Sequence, residues 1–180
     1  RVAQRARCPV LTVGPECKGG NSEPRRVLMA TDFSVEADAA LREAEAIFKL
    51  EARSAELFLL TVLHTPGGLE SNAIVNTMWW SYVADCRTLL GERLEYFKAS
   101  IDSAGLRAHA LVREGGPAEM TVRVAEQEEV DLIAMGSRGA FAASRALLGS
   151  VSKRVMQTAP CPVLTVPSKW TKTIEKRLGS

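Results

Sequence analysis

Val130-Asp-Leu-Ile-Ala-Met-Gly-Ser-Arg-Gly139 and, after nine intervening residues, Gly149-Ser-Val-Ser152 decide the fold. Val130–Met135 is a short, almost unbroken apolar run, the pattern of a parallel strand buried on both faces. It ends on Gly136, and a glycine-punctuated loop leads to Ser150, where a short helix begins and runs to about Thr158. Glycines at these junctions permit positive φ and let backbone amides approach a ligand with no Cβ in the way. Ser150 and the open amides of residues 150–152 face an anion at the positive end of the helix. A phosphate chain is the anion that fits this arrangement best.

The same alternation extends in both directions. Val27–Ala30, Leu57–Leu63 and Ala108–Val112 read as three earlier strands, and Pro162–Val166 as a fifth. Thr31-Asp-Phe-Ser34 turns into a helix with Ser34 as N-cap. Ala37, Ala40, Leu41, Ala44, Ile47 and Phe48 give that helix one apolar face. Leu90, Leu94, Phe97 and Ile101 mark a second helix, which Gly105 stops. Gly115-Gly-Pro117 starts a third, with proline at a tolerated first position and Ala118, Val122 and Ala125 facing inward. Residues 64–85, with Pro66-Gly-Gly68 and Met78-Trp-Trp80, read as irregular, the tryptophans packing over a sheet edge. The β-α-β-α-β-α-β-α-β order calls for a five-stranded parallel sheet with helices on both faces. Ligands of such sheets bind beyond the carboxyl ends of the strands, where strand order reverses.

A second signal is a repeat. Arg1–Val13 and Arg154–Val166 share ten of thirteen residues at an offset of 153. That offset is about one domain. Residues 1–15 are therefore expected to be the last strand of a preceding copy, 16–24 a turn-rich linker, 25–167 the complete domain and 168–180 an extension.

Composition excludes more than it selects. The 180 residues are 46% hydrophobic and 24% charged, as in ordinary globular chains, and no apolar run is long enough to span a bilayer. A formal net charge of +2 gives no reason to invoke nucleic acid or a membrane surface. The four cysteines have neither metal spacing nor a disulfide framework, and read as buried, reduced thiols of a cytoplasmic protein. His64 and His109 are isolated, so no metal site is expected.

Asp32 falls just past the first strand, next to the end of the fourth in such a sheet, where a carboxylate accepts hydrogen bonds from ribose hydroxyls. Taken singly, Gly136 and Gly139 read as a tight turn, Gly149-Ser150 as a helix cap and Asp32 as an N-terminal helix charge. Their joint placement at strand ends favours a nucleotide site. Arg138 stands beside the loop, able to offset phosphate charge or simply to be solvated. The loop lacks Gly-Lys-[Ser/Thr], and no water-activating residue follows it, so no catalytic residue is assigned.

Gly-x2-Gly-x9-Gly-Ser after Asp-Leu-Ile-Ala-Met resembles the nucleotide motif of the universal stress proteins. The resemblance covers residues 25–167 and includes Ala30-Thr-Asp-Phe-Ser34, Gly116-Pro-Ala118, Leu147-Leu-Gly-Ser-Val-Ser152 and Cys161-Pro-Val-Leu-Thr-Val166. It implies a Rossmann-like, adenine-nucleotide-alpha-hydrolase-like sheet in the order 3-2-1-4-5 and the ATP-binding branch of the family. It also implies roles. Ala30 and Thr31 would line the adenine side, Asp32 would hold adenine or ribose, and Val62 would offer backbone atoms to the base. Met135 and Gly136 would flank the ribose, while Gly139, Gly149, Ser150 and Val151 would hold the phosphates, with Ser152 closing the motif. The implied ligand is ATP, with ADP or AMP left open and Mg2+ an optional companion. The implied partner is a second copy or a sister domain, paired through Pro162–Val166 and Pro9–Val13. The implied function is a stress-response module with little or no hydrolysis. The alternatives are a slow ATPase or nucleotide-dependent enzyme, and a pairing module with an empty pocket.

Overall fold

The computed structural model describes residues 3, 6–15, 17, 24–48, 55–64, 73–103, 107–138, 148–167 and 170. Along strand β2 (Arg26–Ala30), side chains alternate between two apolar clusters, as the period of a strand requires. Val27 and Met29 enter one cluster, which also holds Ala37, Ala40, Leu41 and Ala44 of helix α1 (Val35–Phe48) and Leu94 and Ile101 of helix α2 (Ala73–Ser103). Leu28 enters the other, with Val124 and Ala125 of helix α3 (Pro117–Gln127) and Val155 of helix α4 (Ser150–Thr158). The sheet is thus covered on both faces, α1 and α2 on one side and α3 and α4 on the other. That is why its central strands read as continuous apolar runs.

The remaining strands are β1 (Val10–Thr12), β3 (Glu56–Leu63), β4 (Arg107–Glu114), β5 (Leu132–Gly136) and β6 (Val163–Val166). They form one six-stranded sheet in the order β1-β6-β5-β2-β3-β4. The expected five-stranded parallel sheet in the order 3-2-1-4-5 is corrected here in strand count, direction and hence order. β1 pairs antiparallel with β6, Val10 opposite Thr165 and Thr12 opposite Val163, which makes the sheet mixed. The repeated segment is itself apolar and β-branched, so it satisfies the open edge of β6. With β1 set aside, the parallel strands run β4-β3-β2-β5-β6. Strand order reverses between β2 and β5, which opens a crevice at their carboxyl ends. Of the expected pairing segment Pro9–Val13, Val10–Thr12 pairs within its own chain, and Leu11 and Val13 are exposed.

Other expectations shift. Part of the stretch read as irregular, residues 73–85, is the first half of α2. Its periodicity is hard to read because exposed Trp80 and Tyr82 come just before buried Val83. Trp80 is 56% exposed and does not pack over the sheet edge. Thr121, Val124 and Ala125 form the buried face of α3, and Val122 is only half-buried. Ile47 on the last turn of α1 is exposed, and Cys8 is exposed, against the expectation of buried thiols. Trp170 anchors the chain after β6: it packs against the α1 side of the core and its indole N–H donates to Glu43 Oε1 at 2.5 Å. Gly139, Gly105, Pro66-Gly-Gly68, most of the linker, the extension past Trp170 and the side chains of Phe48, Met78, Trp79 and Phe97 lie outside the described residues.

Candidate nucleotide-binding site

The site starts with a turn. Thr31 leaves β2 with its amide donating to Leu60 O of β3 at 2.8 Å. Its hydroxyl Oγ1 accepts from Phe33 N–H at 2.9 Å, and Asp32 Oδ1 accepts from Ser34 N–H at 3.1 Å. These side-chain-to-backbone bonds, two residues apart, are the local reason Thr and Asp suit this bend. Phe33 takes a φ of 60°, a left-handed conformation that costs a residue with a Cβ about 1–2 kcal/mol. Ser34 then accepts from Ala37 N–H at 3.3 Å and caps α1 as its sequence position implies. The bend leaves Asp32 exposed at the mouth of the crevice.

The other wall is the β5–α4 junction. Gly149 N–H donates to Ser137 O at 2.8 Å, and Ser137 N–H donates to Val166 O at 2.9 Å, tying the loop's two ends to each other and to β6. Ser152, 2% exposed, places its hydroxyl 3.1 Å from Gly136 O and 3.0 Å from Ser137 O. Among the described residues no side chain caps α4, which leaves its N-terminal amides for solvent or a ligand. The helix carries roughly half a positive charge at that end.

Gly136 works by closeness, and neither Gly136 nor Gly149 takes an unusual φ. Gly149 has a φ of −63°, and Gly115 is the described glycine with a positive φ. A Cβ on Gly136 would lie 2.9 Å from Glu36 Cβ and 3.0 Å from Arg138 O, so glycine lets the first turn of α1 lie against the end of β5. At Gly149 the same atom would meet Arg138 Cα, Ser137 O and Ser152 Oγ at 3.4 Å, an ordinary contact.

Between the two walls lies a cavity of about 450 Å³, within the range of small-molecule sites. Ala30, Thr31, Asp32, Val62, Met135, Gly136, Arg138, Gly149, Ser150, Val151 and Ser152 all line it, which brings together every sequence-assigned residue except Gly139. Leu60, Thr61, Pro117 and Thr121 line it as well and were not singled out. Their signal was available: α3 begins at Pro117 at the same end of the sheet. Thr121 Oγ1 is already engaged, donating to Pro117 O at 2.7 Å. Asp32 and Arg138 are the ionisable side chains among the described residues lining the cavity. Arg138 is 3.7 Å from Glu36 Oε1, so its charge is shared with a carboxylate and is not fully available to a ligand. Among the described residues no cluster of three or more His, Cys, Asp or Glu could hold a metal ion.

The universal stress protein family profile matches residues 23–167. Universal stress protein MJ0531 of Methanocaldococcus jannaschii is 31% identical over 83% of this chain and 85% of its own length. The solved structure of MJ0577, from the same organism, is 30% identical, covers 79% of this chain and 95% of that one, and superposes with a TM-score of 0.65. A more distant fold neighbour is a universal stress protein family protein from Arabidopsis thaliana solved with AMP bound. It is 21% identical over 80% of this chain and 91% of that one, with a TM-score of 0.54. The chain belongs to the universal stress protein family.

Proposed function

We propose that this chain binds an adenine nucleotide, ATP in the first place, in the cavity between the Thr31–Ser34 turn and the N-terminus of α4. One observation carries the reading: the described residues assigned from sequence to base, ribose and phosphates, all but Gly139, converge on one cavity at the reversal of strand order. The phosphates would lie on the uncapped amides of α4, with Ser150 and Val151 around them. Asp32 would accept from the ribose hydroxyls or the base. Ala30, Val62 and Met135 would supply the apolar walls for adenine. That a family member of the same fold was solved with AMP supports an adenine ligand.

Turnover is slow or absent in this account. The described lining residues offer no lysine for the outer phosphates, and the carboxylate at hand, Asp32, is assigned to the nucleoside end. The chain then acts through occupancy, as a cytoplasmic stress-response module of the ATP-binding branch. Residues 25–167 form its domain, and 1–15 are the last strand of a preceding copy. The pairing of β1 with β6 supports that division, because it uses the edge through which sister domains or second copies would associate. Described helices include none long and apolar enough to cross a membrane.

Calorimetric titration with ATP, ADP and AMP, with and without Mg2+, alongside an assay of released phosphate, tests this reading. Micromolar binding with negligible turnover is the expected result. Absence of heat at millimolar ATP would overturn it, and rapid phosphate release would replace it with an ATPase.

A further inference from the structure

We infer that Arg93 of α2 is a positioning residue for the nucleoside half of the site, setting Asp32 through its contact with Phe33. The inference rests on the nucleotide reading above. Phe33 is the described residue between Asp32 and the Ser34 cap, and it holds a φ of 60°. A bend of that kind persists only where its surroundings over-determine it. From inside the turn it is held by Thr31 Oγ1 on Phe33 N–H and by Asp32 Oδ1 on Ser34 N–H. From outside it is held by Arg93, whose guanidinium carbon lies 4.4 Å from the centre of the Phe33 ring. Such a distance is within the range of a cation–π contact. Phe33 is also partly buried against the core cluster shared by α1 and α2.

Arg93 is embedded in a small charge group at this corner. Burial raises the carboxyl of Asp38 above the ordinary value, Arg42 and then Arg93 pull it down, and Asp32 pushes it up again. Asp32 and Arg93 are thus both within electrostatic reach of Asp38. The ring of Phe33 carries Arg93, and Phe33 directly follows Asp32 in the Thr31–Ser34 turn. A shift of α2 along this face would be felt by Asp32 and not by the phosphate end, which is held separately by Ser152 and the Gly149–Ser137 bond. The inference predicts a split between ligand parts. Loss of Arg93 weakens recognition of the nucleoside and leaves recognition of phosphate alone.

The test compares wild type, Arg93→Ala and Arg93→Lys by calorimetry with AMP, ATP and inorganic tripolyphosphate. Amide hydrogen exchange of Phe33 and Ser34 is measured in the nucleotide-free proteins. Arg93→Ala is expected to weaken AMP and ATP by roughly 3- to 10-fold, with tripolyphosphate unchanged. Exchange at Phe33 and Ser34 speeds up, and Arg93→Lys restores part of both effects. Equal loss for all three ligands would mean a general loss of structure and overturn the positioning role. So would unchanged nucleotide affinity in Arg93→Ala. If the wild-type protein binds none of the ligands, the nucleotide reading fails. Exchange at Phe33 and Ser34 then still decides the contact itself: faster exchange in Arg93→Ala supports the clamp on the turn, and unchanged exchange removes it.

Discussion

Replacing Gly136 with alanine separates a glycine needed for packing from one needed for a ligand. The added Cβ would lie 2.9 Å from Glu36 Cβ, 3.0 Å from Arg138 O and 3.2 Å from the Glu36 carbonyl carbon. Two of these are backbone atoms, so no rotamer change relieves the contact and α1 must move off β5. Overpacking of this kind costs about 1–3 kcal/mol. For a chain of this length each kcal/mol lowers the melting temperature by roughly 2–4 °C, so the expected drop is roughly 2–12 °C. Urea unfolding followed by circular dichroism gives the free energy directly. Gly149→Ala is the control. Its backbone is at φ −63° and its new Cβ meets neighbours at 3.4 Å, so stability should hold or rise by up to about 1 kcal/mol. If Gly136→Ala unfolds at the same urea concentration as wild type, the argument from close packing is wrong.

Gly149→Val should keep the fold, because the residue is at the surface end of α4, yet weaken ATP at least roughly tenfold by crowding the uncapped amides. Unchanged calorimetric affinity would remove Gly149 from the phosphate site. Glu36→Gln releases Arg138 from its 3.7 Å partner and should tighten ATP binding by about two- to fivefold, an effect that fades with salt. Weaker binding in that variant would show that Glu36 orients Arg138 instead of competing for it. Burial, with smaller contributions from Cys17 and Asp131, pushes the Cys161 thiol up to about 12 in the folded chain, against an ordinary value of 9.0. Folding holds the proton, so this contribution is complete below pH 9 and is lost as pH rises from there toward 12. The slope is at most ~1.4 kcal/mol per pH unit. Urea unfolding at pH 8 and pH 10 should therefore show a larger loss for wild type than for Cys161→Ala, and equal losses would remove this linkage.

Much of the site was legible because its chemistry is local. Gly136, Gly149 and Ser150 sit at strand and helix ends that hydrophobic periodicity marks, and Ser34 caps α1 as its type and position imply. What the glycines do was not legible. The reason Gly136 lacks a side chain is Glu36, one hundred residues away in sequence, and only the packing of α1 on β5 reveals it. Arg138 read as either a phosphate counter-charge or a solvated base, and its pairing with Glu36 depends on the same contact. Leu60 and Thr61 enter the cavity because the ends of β2 and β3 line up in register, which no single segment encodes. The start of α2 was hidden for a different reason. Trp80 and Tyr82 are exposed on it, so its apolar residues do not form one stripe. The sixth strand was readable as a repeat, but its partner was open until β1 was seen paired with β6 of the same chain.

Amide chemical shifts followed by NMR during parallel titrations with ATP and with adenosine test the central claim most directly. The account predicts that both ligands shift Thr31, Asp32 and Val62, and that ATP alone also shifts Ser150, Val151 and Ser152. No shift at millimolar ATP, or shifts confined to residues away from this cavity, would contradict it.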